Sequence, residues 1–313
     1  MPVRTRLQVG QEVETPRSTA AHGASGIVVF VQTVGLDVHQ SWELAALLGA
    51  AGAVLAASSR SRVRTVGAFA RETAVIGFLY GLWQVAGGLA KTSTVGAFAR
   101  ARWIERFERG LPLPSERTVQ HVILGHRLVI MFCDYYYAAM HVTTMLAFLI
   151  WLFWRHRDRY RPVRQVMAWT TLGCLIVQLV PVAPPRMLPG IVDTGRLYHE
   201  SVYSNGLPID QLSTMPSVHV AWAVLVGYYT WRVSVSRWRY LGPAHSILMI
   251  FVVVATGNHW WLDGIVAVAI LAACAWGVAG MRAIWRQVQR RWRPSRRPPI
   301  ADRRALAEVA MRG

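Results

Sequence analysis

The stretch Thr256–Gly264, TGNHWWLDG, sits where the apolar run Leu241–Ala255 ends and the run Trp260–Ala279 begins. Two apolar runs meeting at a polar turn read as two membrane helices and the mouth between them. A histidine and an aspartate are expensive to place there without a purpose. His259 and Asp263 are four residues apart, a spacing that on a helix stacks both side chains on one face. A carboxylate so placed accepts a hydrogen bond from one ring nitrogen, which fixes the tautomer and leaves the other nitrogen free to attack. Read alone, the stretch is equally a polar turn wetted by lipid headgroups.

Two further stretches bear on that choice. Ser213–Trp222, STMPSVHVAW, opens an apolar run that continues through Thr230. Pro216 suits a first helical turn, Ser213 or Thr214 can cap it, and Ser217 and His219 then fall in that turn. Unpaired N–H groups and the helix dipole favour an anion at such an end. Val182–Gly190, VAPPRMLPG, follows the run Met167–Val180 and carries Arg186. Its prolines stop the helix and hold the chain extended, placing Arg186 just outside the membrane core.

In this order and spacing, an arginine after a PP pair, then PSxH, then HxxxD resemble the type 2 phosphatidic acid phosphatase superfamily. Here these are Arg186, Pro216-Ser217-Val218-His219, and His259 to Asp263. Within that superfamily the chain is most similar to the branch of inositol-phosphorylceramide synthases and their bacterial relatives, over roughly residues 105–280. Two departures stand out. Val218 replaces the glycine of the phosphatases' PSGH, and Val252 and Val253 occupy the place of their upstream SR pair. The missing arginine removes one phosphate clamp and favours the synthase-like branch over a plain phosphatase.

Composition supports a membrane protein. Of 313 residues 53% are hydrophobic, with 14 Trp, more apolar than a typical soluble domain. The net charge of +18 could suggest nucleic acid, but the arginines cluster between apolar runs and in the tail, as in cytoplasmic loops, so no nucleic-acid partner is expected. Cys133, Cys174 and Cys274 lie in or beside apolar runs, are odd in number and have no metal-binding spacing. Residues 1–22 are polar and are not expected to form a signal peptide.

Arginine placement orders the spans. Residues 155–164, RHRDRYRPVR, carry five arginines against one aspartate, and the tail from Arg282 carries ten against two acids. Both read as cytoplasmic. The 183–215 loop, with two arginines against three acids, reads as external. Alternation then brings Arg186, His219 and His259 to one outer face.

The expected fold is all-α, a polytopic membrane helix bundle. Its six-helix core has the spans Thr73–Ala90, Asp134–Trp154, Met167–Val180, Trp222–Trp231, Leu241–Ala255 and Trp260–Ala279. A further N-terminal span is expected at Trp42–Ala57, an interfacial amphipathic helix at Phe98–Phe107, and a helix at Val119–Met131. The organisation is a polar segment (1–40), a span with a basic loop (41–72), a catalytic membrane domain (73–281) and a basic tail (282–313) that suits anionic lipid. The heptapeptide TVGAFAR occurs at 65–71 and 94–100; two copies do not make a solenoid.

The expected chemistry is cleavage of a lipid phosphoester at the outer face of the cell membrane. His259 is the expected nucleophile, forming a phosphohistidine, with Asp263 its orienter and His219 the general acid. Arg186, Ser217 and the first-turn N–H groups would stabilise the phosphoryl oxygens. Asp134, Tyr137 and His141, at spacings of three and four, would face the headgroup together with Asn258. The residues alone also allow a tyrosine belt at the interface there. No cofactor or metal is expected, since no carboxylate cage is evident. The acceptor could be water, or an inositol, sugar or lipid hydroxyl. A transporter would also have apolar helices with polar breaks, but the two halves show no matching repeat. Haloperoxidases that share the anion site resemble soluble enzymes, and a scaffold would need neither histidine.

Overall fold

The computed structural model describes residues 38–90, 95–197, 211–292 and 311. Most of the polar N-terminal segment and of the basic tail lies outside the described residues. The described residues form helices and no strand, with one isolated bridge between Val182 and Ser213.

Helices α1 (Val38–Ala56) and α2 (Ser61–Ala90) make an N-terminal hairpin. Helix α2 starts ahead of the apolar run at Thr73, so Arg62, Arg64 and Arg71 ride on the helix instead of forming a basic loop. The hairpin joins the rest through Glu72, which accepts from Arg164 and from Tyr160 at 3.4 Å, and through Phe69 against Phe153.

Helix α3 (Ala97–Glu108) covers the expected amphipathic segment. The expected single helix at Val119–Met131 is two, α4 (Glu116–Leu124) and α5 (Arg127–Tyr135). The break falls at Gly125 and His126, where His126 adopts an extended φ of −128°. Helix α5 runs through a π-helical turn, Tyr136–Met140, into α6 (His141–Arg155). Then come α7 (Arg157–Gln178), a 3₁₀ turn at Pro185–Met187, the short α8 (Thr194–Leu197), α9 (Val218–Val233), a 3₁₀ turn at Arg237–Tyr240, α10 (Leu241–Ala255) and α11 (Trp261–Trp292).

Three helical stretches among the described residues are long and apolar enough to cross a membrane: Arg127–Arg155, Arg237–Ala255 and Trp261–Trp292. Their outward faces carry exposed Ile150, Ile247, Ile265 and Trp276, as lipid-facing surfaces do. Among the described residues, buried side chains pack the bundle in four clusters, two of them large. One cluster holds Phe148, Leu152, Tyr160, Val163, Leu225 and Leu271. A second holds Ile130, Tyr137, Val220, Met249 and Val253, beside the polar turn. Helices α9 and α10 cross with backbones nearly touching, since a Cβ on Gly242 would lie 3.1 Å from the Gly227 Cα. Ser246 locks the crossing by donating to the Ala223 carbonyl at 2.7 Å.

Candidate active site

The site is built on helix ends that share one end of the bundle. Helix α10 ends at Ala255, α11 begins at Trp261 and α9 begins at Val218. Helix α7 ends beside them, where Gln178 Nε2 donates to the Pro216 carbonyl at 3.0 Å.

His259 lies in the turn before α11, with Asp263 in the first turn of that helix. They do not stack on one helical face, as the i,i+4 spacing suggested. The turn is made by Gly257, whose φ of +66° is one that L side chains rarely adopt. The pair meets all the same. His259 Nδ1 lies 3.0 Å from the Thr214 carbonyl and 3.3 Å from Asp263 Oδ2. Neither oxygen has a proton to give once the carboxylate is ionised, so Nδ1 carries the hydrogen and Nε2 the lone pair. Nε2 is buried and has no hydrogen-bond partner among the described residues. Asp263 Oδ2 also accepts from the Trp260 N–H at 2.9 Å, which fixes the turn and the carboxylate together.

Ser217, not Ser213 or Thr214, caps α9: its Oγ accepts from the Val220 N–H at 3.3 Å. Its own N–H donates to the Asp263 carbonyl at 3.2 Å. That bond between two motifs sets where α9 starts, and it leaves Pro216 ahead of the helix rather than in its first turn. His219 follows in the first turn, its ring 5.6 Å from that of His259.

Arg186 is buried in the 3₁₀ turn formed by the proline segment, which folds back rather than running extended. Its backbone N–H donates to the Gly257 carbonyl at 2.9 Å, and its Nη1 donates to Asn258 Oδ1 at 2.5 Å. Asp193 lies 3.6 Å from its Nε. Asn258 in turn donates to Thr256 Oγ1 at 2.7 Å. Asn258 therefore orients the arginine, a task the sequence reading gave it no part in.

The remaining candidates lie in and on either side of the π-helical turn: Asp134 at the end of α5, Tyr137 in the turn and His141 at the start of α6. Tyr137 stacks on His219 at 4.3 Å between ring centroids, and the His141 ring lies 4.0 Å from His219 and 5.0 Å from Trp222. A π turn adds a residue to the helical register, and Asp134 diverges from the other two. Its Oδ1 accepts from Thr194 Oγ1 at 2.8 Å, at the start of α8. Val252 and Val253 are fully buried in apolar packing, so no second arginine stands there.

Sequence reasoning missed Glu108 and Glu116. Glu108 ends the buried stripe of α3 (Ala97, Ala101, Ile104, Glu108), and its Oε1 accepts from the Leu262 N–H at 2.6 Å. Burial, then Glu116 beside it, pushes the Glu108 carboxyl up to about 9. An acid on an otherwise apolar stripe was the available signal. Among the described residues no group of three or more His, Cys, Asp or Glu side chains is placed to hold a metal ion.

The PAP2 superfamily matches over residues 102–277, more than half of the chain and all of the site. The chain belongs to the PAP2 superfamily. No curated protein and no solved structure is similar enough to count as a match. Membership in the PAP2 superfamily suggests a lipid phosphatase-type enzyme, and the apolar helices suit a membrane-embedded one.

Proposed function

We propose that the protein is an integral membrane enzyme that cleaves a lipid phosphoester through a phosphohistidine on His259 and transfers the phosphoryl unit to an alcohol. The observation that carries this reading is the buried Nε2 of His259, its tautomer set by oxygens at 3.0 and 3.3 Å on the opposite nitrogen. In the first step the Nε2 lone pair bonds to phosphorus while the bond to the leaving oxygen breaks. His219 gives that oxygen its proton. In the second step an acceptor hydroxyl attacks phosphorus, the P–N bond breaks and the hydroxyl proton passes to His219. Asp263 stabilises the charge that develops on the ring. Arg186, Ser217 and the first N–H groups of α9 take the phosphoryl oxygens. Tyr137 and His141, packed on His219, flank the headgroup.

The acceptor class is an inositol, sugar or lipid hydroxyl. Buried Val252 and Val253 in place of a second cationic clamp favour this synthase-like branch. Water is the second reading, favoured by family membership. The catalytic domain, residues 73–281, would cross the cell membrane six times, with the site outside and the tail in the cytoplasm. Helix α1 would add a seventh crossing and α3 would lie at the interface.

The test uses purified enzyme in detergent with phosphate-labelled phospholipid. An acid-labile, base-stable adduct should form on His259, and vanadate should compete for it. An added acceptor alcohol should divert label from the hydrolysis product into a new phosphodiester. Unchanged labelling of His259→Ala would overturn the nucleophile. If no tested alcohol competes with water, the enzyme is a phosphatase.

A further inference from the structure

Two buried carboxyls stand behind the dyad, on helices that touch no substrate in the mechanism above. Glu108 and Glu116 are both at least nine-tenths buried, at 6% and 4% exposure. Glu108 Oε1 accepts from the Leu262 N–H at 2.6 Å. This places Glu108 against the first turn of α11, one residue before Asp263 and three after His259. Glu108 Oε2 and Glu116 Oε1 have no hydrogen-bond partner among the described residues. Two buried acceptors with nothing to accept from are destabilising. One proton held between the carboxyls turns one of them into a donor and satisfies both.

We propose that Glu108 is a positioning residue for the His259–Asp263 pair. It anchors the Leu262 N–H, and it shares one proton with Glu116, so that the anchor brings a single negative charge to the site. The proposal rests on the reading of His259 and Asp263 as the reacting pair. The titratable groups facing Glu108 are Glu116 from α4 and Asp263 from α11, all acidic. Loss of the shared proton would therefore place a third negative charge beside a site that must hold an anionic phosphoryl group. The upward push on Glu108, to about 9, agrees with a proton retained at neutral pH.

The experiment compares wild type with Glu108→Ala, Glu108→Gln and Glu116→Gln, purified in detergent, on a nitrophenyl phosphoester. At equal amounts of folded enzyme, Glu108→Ala should lower kcat by about tenfold or more while KM moves by less than about twofold, the pattern of lost alignment. Glu108→Gln keeps an acceptor for Leu262 and should recover most of kcat near neutrality. Wild-type kcat should fall as pH rises through about 9, and either glutamine variant should flatten that limb. Wild-type kcat in Glu108→Ala would overturn the positioning role. An identical alkaline limb in wild type and both glutamine variants would overturn the shared proton. Thermal unfolding reads the pair without turnover. A carboxyl raised in the folded state contributes stability that is full below its unfolded value and is lost as pH rises through its folded value. Wild type should accordingly lose Tm with rising pH more steeply than Glu108→Gln. If that slope difference appears while no variant turns over the phosphoester, the shared proton stands and the reading of the dyad as a phosphoryl-transfer site fails.

Discussion

The backbone N–H of Arg186 donates to the carbonyl of Gly257 at 2.9 Å, joining the proline segment to the turn that carries His259. A Cβ on Gly257 would lie 3.0 Å from Ile191 Cγ2 and 3.2 Å from Arg186 Cβ, at a φ of +66°. Gly257→Ala should therefore cost about 1–3 kcal/mol in backbone strain and displace Arg186. Its Tm and its affinity for an anionic substrate should both fall. Gly125→Ala is the control, since a Cβ there has nothing within 4 Å and its backbone is right-handed. Equal behaviour of the two variants would refute the coupling.

Asp263→Asn should fold, because an amide oxygen can still accept from Trp260 and His259. It loses the charge that stabilises the ring as it gives up its lone pair. The expected loss in kcat is roughly 10²–10⁴-fold, with the helix start intact by circular dichroism. A variant that retains wild-type kcat would remove Asp263 from the chemistry.

His219→Ala should discriminate between leaving groups. A lipid alkoxide needs a proton and should suffer by roughly 10²–10⁴-fold. A nitrophenolate needs little and should suffer far less. Equal losses on the two substrates would count against His219 as the acid.

Asn258→Ala removes the acceptor that orients Arg186 Nη1. The cation stays but its direction is lost, so KM for the phosphoester should rise while the variant still folds. Arg186→Lys should resemble it, because an ammonium cannot make the planar contacts of a guanidinium. Unchanged KM in both would show that Arg186 does not hold the substrate.

Sidedness can be read by labelling single cysteines placed at the exposed Arg159 and Val192 positions with an impermeant reagent. Val192 should react from outside and Arg159 only after permeabilisation. Reaction of both from outside would sink the outward-facing site.

Much of this was legible because helix ends declare themselves. The run Leu241–Ala255 is α10 to the residue, and the segment read at Phe98–Phe107 is α3 with one residue added at each end. The meeting of His259 and Asp263 was also legible, though for the wrong local reason: a left-handed glycine turn, not a shared helical face, brings them together. What escaped was set by contacts distant in sequence. The Ser217 cap follows from the Asp263 carbonyl, and the direction of Arg186 from Asn258. The register of Tyr137 and His141 depends on a π turn that no spacing announces. Glu108 looks like an ordinary charge at the end of a half-exposed helix until the start of α11 donates to it.

The joint at Glu72 lies far from the site. It ties the hairpin to Arg164 and Tyr160 near the start of α7, whereas the site lies beyond that helix's far end at Gln178. A helix of this length spans about 33 Å. The family match begins only at residue 102, after the hairpin has ended. The hairpin is thus tied to the scaffold at the end remote from the chemistry. Strain at that joint reaches the histidines through the whole length of α7.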